Sequence, residues 1–207
     1  MNDWVIGVDL GATKVALGLV DPTGNLAGTR RIQTEAVRGP EFAIANIAHA
    51  IEALATEARI GAQAVRAVGV CSPGPVDHVA GLILDPPNLG WCNVPFRRML
   101  ADRLGIPVSL EHDAKAAALG ELHFGAGREH GLSDLVYVIV GTGVGAAIIL
   151  NGEPFRGSTN SAGEIGHVTL DRRGEPGSSG VPGCVESYMS GPYLARHYAQ
   201  RTGQSPA

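Results

Sequence analysis

The chain has 207 residues, 44% of them hydrophobic and 17% charged, enough for one good-sized domain or two small lobes with cores of their own, which excludes a disordered or collagen-like chain. Sixteen Lys and Arg against 20 Asp and Glu give a net charge of −4, and no run of five or six like charges offers an arm for nucleic acid or a patch for an anionic membrane. The longest apolar runs, 135–140 and 146–150, are too short to span a bilayer, Asp3 and Asp9 interrupt what would be the apolar part of a leader, and Cys71, Cys92 and Cys184 form no disulfide framework, so a cytoplasmic protein with free thiols is expected.

Residues 4–10 and 15–20 read as strands, and Asp21-Pro22-Thr23-Gly24 has Pro and Gly where a type I turn wants them. Phe42, Ile44, Ile47, Ile51, Leu54 and Ala58 recur at three- and four-residue spacings, which predicts an amphipathic helix over 41–59 ended near Gly61. A strand over 67–71 follows. The prolines of Ser72-Pro73-Gly74-Pro75-Val76-Asp77 cannot donate to a ladder and predict a loop, and Asp85-Pro86-Pro87-Asn88-Leu89-Gly90-Trp91 predicts a second. A helix over 95–104, a strand over 107–111 and a helix over 114–124 come next, with Asp113 as N-cap of the last. Then the pattern restarts: a strand over 135–140, the glycine turn Gly141-Thr142-Gly143-Val144-Gly145, and a strand over 146–150 closed by Asn151-Gly152. A last helix is predicted over 192–201. Two strand, glycine turn, strand units, at 4–20 and 135–150, suggest a duplicated α/β fold with a phosphate loop in each half, divided as 1–115 and 116–207.

Asp9-Leu10-Gly11-Ala12-Thr13-Lys14 sets a carboxylate at a strand end, a glycine where backbone can approach a ligand, and a hydroxyl and an ammonium just beyond. That set suits a phosphate with Mg²⁺ near the Asp through water; a tight hairpin whose glycine supplies positive φ is the plainer reading. Gly141-Thr142-Gly143-Val144-Gly145-Ala146 also matches a dinucleotide fingerprint, but Ala147-Ile148-Ile149-Leu150 followed by Asn-Gly is a strand and turn, where the fingerprint needs a helix; NAD is rejected.

Taken together, Gly7-Val8-Asp9-Leu10-Gly11-Ala12-Thr13-Lys14, Pro73-Gly74-Pro75-Val76-Asp77, Pro87-Asn88-Leu89-Gly90-Trp91, His112-Asp113-Ala114-Lys115-Ala116-Ala117, Gly141-Thr142-Gly143-Val144-Gly145 and Gly163-Glu164-Ile165-Gly166-His167 resemble, in order and spacing, the ROK family of repressors, open reading frames and sugar kinases. The resemblance covers essentially the whole chain. It implies an actin-like, ribonuclease H-like α/β fold of two lobes with an interlobe cleft, and transfer of the ATP γ-phosphoryl group to a hexose hydroxyl, usually the 6-OH. Asp113 would be the general base. Gly74, Asn88, His112, Asp113, Glu164, His167 and Glu186 would bind the sugar. Asp9, Gly11, Thr13, Lys14, Gly141, Thr142 and Gly143 would meet the ATP phosphates, with Mg²⁺ brought by ATP and Asp9 nearby. Glucose is the foremost substrate, with N-acetylglucosamine, N-acetylmannosamine and fructose behind it. A homodimer is implied by the family alone.

Four departures from the family pattern stand out. His112 replaces the usual Asn before the base, which puts sugar specificity in question, and Ala12, Ala146 and Ala147 replace glycines, where a methyl group can crowd a phosphate. Many members bind structural zinc through the motif His and a later Cys-x-Cys-Gly-x-x-Gly-Cys; here Gly177 and Ser179 occupy the first two cysteine positions. Only His167 and Cys184 remain, too few for a tetrahedral site, so no zinc is expected and His167 should be oriented by a hydrogen bond from the 171–183 loop. The chain also stops before the family does, so a fragment with an incomplete second lobe is expected, and a catalytically inactive remnant is a competing reading. A sugar-binding repressor is another, disfavoured because the first strand begins by residue 4, with no room ahead for a helix-turn-helix.

Overall fold

The computed structural model describes residues 3–61 and 64–204, and the chain divides into two compact units, Met1–Ala116 and Ala117–Ala207. In the first, β1 (Trp4–Leu10) buries Ile6, Val8 and Leu10 and exposes Val5, Gly7 and Asp9, while β2 (Lys14–Val20) buries Val15, Leu17 and Leu19. This period of two gives the sheet one apolar face. It is completed by β3 (Leu26–Gln33), β4 (Val65–Ser72) and β7 (Val108–His112) in the order β3-β2-β1-β4-β7, antiparallel from β3 to β1 and parallel from β1 to β7.

Helix α1 (Pro40–Glu57) lays Ile44, Ile47, Ile51 and Leu54 in the core, and α2 (Phe96–Leu104) adds Phe96 and Leu100. Each fully buried aliphatic side chain contributes about 1.5–3 kcal/mol. The first helix starts on Pro40, where a missing N–H costs nothing, and stops two residues earlier than its apolar stripe predicts. Arg59 turns left-handed at φ 56°, and the Arg59 and Ile60 amides donate back to Thr56 and Ala55, a Schellman closure made without the expected Gly61. Within the proline segment predicted as loop, β5 (Val76–Asp77) pairs with β6 (Leu82–Ile83), both prolines lying outside the pairing.

Helix α3 (Asp113–Phe124) runs from the first unit into the second. There α4 (Ala126–Glu129) precedes β8 (Leu135–Val140), β9 (Val144–Leu150) and β10 (Glu153–Phe155), an antiparallel sheet of order β10-β9-β8. β9 begins at Val144, so the glycine turn is shorter than predicted, and Ala146 and Ala147, on opposite faces of the strand, are both buried. A 3-10 turn (Ile165–His167), α5 (Val185–Met189) and α6 (Gly191–Thr202) complete the unit. None of the helices among the described residues is long and apolar enough to cross a membrane.

Candidate functional site

Strand register brings the first group of residues together. Asp9 pairs with Cys71, Cys71 with Glu111 and Ser72 with His112, so three parallel strands end side by side, the end of such a sheet at which ligands bind. The Cys71 thiol donates to Asp9 Oδ1 at 3.5 Å. Burial, reinforced by the negative charges of Asp9 and Asp113, pushes that thiol far above its ordinary value and keeps it a neutral donor. Nothing in the sequence marks Cys71 as a neighbour of both carboxylates, because the relation exists only through strand pairing.

Asp113 is the first residue of α3 and not its N-cap. The cap is His112, whose Nδ1 lies 3.3 Å from the Ala114 amide, at the position where an Asn side chain would accept the same bond. Asp113 Oδ1 accepts from the Ala114 amide at 2.6 Å and lies 3.1 Å from His112 Nδ1, with its side chain 45% exposed. The His112 ring lies over Gly74, where a Cβ would come 2.6 Å from Cδ2 and 2.8 Å from Nε2. Gly74→Ala is therefore expected to cost about 1–3 kcal/mol, and in a His112→Ala background almost nothing, a coupling read from four melting curves.

The first glycine turn is strapped by Thr34, the residue that follows β3. The Gly11 amide donates to the Lys14 carbonyl at 3.0 Å, Thr34 Oγ1 to the Gly11 carbonyl at 2.7 Å, and the Thr34 amide to the Thr13 carbonyl at 2.9 Å. Gly11 is not left-handed; it is required because a Cβ would sit 2.9 Å from the Lys14 carbonyl, so the positive-φ explanation of this turn does not hold. Asp9, Thr13 and Lys14 are exposed. Thr13 and Asn88 line a concavity of about 530 Å³ with Gln33, Glu35 and Gly90, and the loop carrying Asn88 is anchored by the Trp91 indole donating to the Ala36 carbonyl.

In the second unit Gly141 and Thr142 are exposed, the Gly141 amide donates to Gly143, and Gly191 donates to Gly141. Glu186, 5% exposed, closes this turn from below: Oε2 accepts from the Val144 amide at 3.2 Å, and Oε1 accepts from the Ser178 amide at 3.2 Å and from the Ser178 hydroxyl. Burial pushes the Glu186 carboxyl up, but the bonds from Ser178 and Val144 outweigh it and hold it below its ordinary range. A depressed carboxyl stabilises the fold above the ordinary carboxylate range and loses that contribution as pH falls through its folded value. Glu186→Gln is expected to cost about 1–3 kcal/mol near neutrality and to flatten the acid limb of the melting temperature against pH.

The Gly163-Glu164-Ile165-Gly166-His167 motif forms the 3-10 turn, seated flush on β9. The Ala146 amide donates to the Gly163 carbonyl at 2.8 Å; Gly163 is left-handed at φ 102° and its missing Cβ would strike the Ala146 carbonyl, as that of Gly166 would strike Val144. The motif is a turn rather than a strand. It leaves Glu164 and His167 half exposed, with His167 Nε2 3.8 Å from Glu164 Oε2 and Nδ1 3.0 Å from Ser179 Oγ.

The family model described as ROK family matches residues 5–206. The chain belongs to the ROK family. A glucokinase from Streptomyces coelicolor is 37% identical over 201 residues, which are 97% of this chain and 61% of the relative, so the chain spans about three fifths of that length. A putative xylose repressor from Caldicellulosiruptor is 34% identical over 90% of the chain and 46% of its own. A ROK glucokinase from Streptomyces griseus, solved in complex with glucose and AMPPNP, superposes with a TM-score of 0.80 at 36% identity, covering 97% of this chain and 61% of that one. The fold is accordingly the actin-like ATPase fold of the ROK sugar kinases.

The structural zinc of many ROK members finds no fitting residues here. Gly177 brings no ligand, and its missing Cβ would strike the buried Cys184 sulfur, so no side chain fits there without rearrangement. Ser179 spends its hydroxyl on His167. Among the described residues no three His, Cys, Asp or Glu are grouped to hold a metal.

Proposed function

We propose that this chain belongs to an ATP-dependent hexose kinase acting on the 6-OH of glucose. The observation that carries the reading is the seat of Asp113: a half-exposed carboxylate at the positive end of α3, beside the strand ends that hold Asp9 and Cys71. Asp113 takes the proton of the sugar hydroxyl as that oxygen attacks the γ-phosphorus; the new O–P bond forms while the bond to the β,γ-bridging oxygen breaks and ADP leaves. Thr13 and Lys14, shaped by Gly11, and the turn of exposed Gly141 and Thr142 and half-buried Gly143 receive the phosphates. Asp9 is the residue that would hold Mg²⁺ brought with ATP, and the ion would supply neutralisation of phosphate charge.

Gly74, Asn88, His112, Glu164 and His167 bind the sugar. Gly74 serves by admitting the His112 ring, and Glu186, whose carboxylate is already engaged, serves through the turn and loop it ties together. A polyol rewards such paired acceptors and donors and penalises an analogue that leaves one unpaired. The similarity to a putative xylose repressor favours a second reading in which sugar is bound but not phosphorylated.

A thermal-shift titration with glucose, N-acetylglucosamine, N-acetylmannosamine, fructose and mannose tests the proposal, since a ligand of the folded state raises its stability by mass action. A saturable shift with glucose, lost in Glu164→Ala, and ADP release with ATP and Mg²⁺ are expected. Binding without ADP release selects the regulator reading. A cooperative melt that no sugar moves sinks both.

A further inference from the structure

The loop that lacks zinc ligands is nonetheless closed, and the closure reaches the sugar-facing histidine. Ser178 is held through its amide and hydroxyl on the buried Glu186 carboxylate, and Gly177 and Gly180 are tied by bonds from the Gly177 amide to Val181 and from the Gly180 amide to Gly177. Ser179 therefore leaves a backbone fixed on both sides, and its hydroxyl reaches His167 Nδ1 at 3.0 Å. The opposite ring nitrogen faces the Glu164 carboxylate. A carboxylate before Nε2 favours the tautomer with its proton there, which leaves Nδ1 an acceptor and makes Ser179 the donor.

We infer that Ser179 is a positioning residue that fixes the ring orientation and tautomer of His167, replacing a metal–imidazole bond by a hydroxyl–imidazole hydrogen bond and making sugar binding independent of zinc. The inference rests on the proposed sugar-binding part of His167. Its chemical sense is that Glu164 and the His167 Nε2–H then offer one acceptor and one donor, held side by side, to neighbouring ring hydroxyls. Because the loop backbone is already ordered, the bond costs only the freedom of one hydroxyl rotor.

The test uses the full chain and its Ser179→Ala, Ser179→Thr and His167→Ala variants, with two readouts: the ring ¹⁵N shifts of His167 under mildly alkaline conditions, and the glucose dissociation constant by calorimetry. The wild-type ring is expected in the Nε2–H form. Ser179→Ala should mix the tautomers and weaken glucose about tenfold, Ser179→Thr should restore both, and added zinc should change neither the ring shifts nor the melting temperature. If Ser179→Ala leaves ring and affinity unchanged while His167→Ala abolishes binding, the inference falls and the sugar reading stands. If the wild-type chain binds no glucose although Ser179→Ala moves the ring, the sugar reading falls and takes the positioning role with it. A saturable zinc response at His167 overturns the inference directly.

Discussion

Asp113→Asn is expected to lower ADP formation from glucose and ATP by about 10³- to 10⁴-fold while changing glucose affinity by no more than about twofold. The amide keeps the size and most of the hydrogen bonding of the carboxylate, including an oxygen for the Ala114 amide that Asp113 Oδ1 now engages at 2.6 Å. What it cannot do is take a proton. Loss of a carboxylate from the first turn of α3 costs about 0.3–1 kcal/mol, too little to unfold the unit, so the melting curve separates a chemical loss from a structural one. Turnover within tenfold of wild type would place the general base elsewhere, and parallel collapse of glucose affinity would make Asp113 a binding group first.

Gly166→Ala should cost at least about 3 kcal/mol and loosen the second unit. The added methyl would drive into the Val144 carbonyl, backbone of the central strand β9, and the turn cannot lift without surrendering the bond from the Ala146 amide to Gly163. Hydrogen exchange should therefore accelerate across 144–170 and not in β1 or β4. Gly120, in the middle of α3 with open space where its Cβ would lie, is the control: Gly120→Ala should stabilise by up to about 1 kcal/mol. If the two variants melted alike, the flush seating of the turn on β9 would be wrong. Since Glu164 and His167 ride on that turn, Gly166→Ala should also abolish the glucose-induced shift.

Strand alternation in β1 and β2 and the apolar stripe of α1 were legible in the sequence because each writes its burial as a period. β3 was not, since it is an edge strand whose Arg30 and Arg31 interrupt any apolar alternation, and β10, α4 and α5 are too short to carry a period at all. At the head of α3 the better-known capping residue, Asp113, drew the assignment one position too far along, because imidazole is rarely counted as a cap. Why Gly163 and Gly166 must be glycines is visible only once β9 lies beneath them. Thr34 and Cys71 in the first unit and Ser178 in the second enter through pairing and loop closure, relations between distant residues that no local pattern records, whereas the bond between Ser179 and His167 is the one expected of the 171–183 loop.

The seat of the His112 ring on Gly74 also has a historical side. With the ring in place a side chain at position 74 is barred, so glycine there can be exchanged only together with a change at 112. The two positions therefore move through sequence space as a pair, and the freedom of one is set by the occupant of the other.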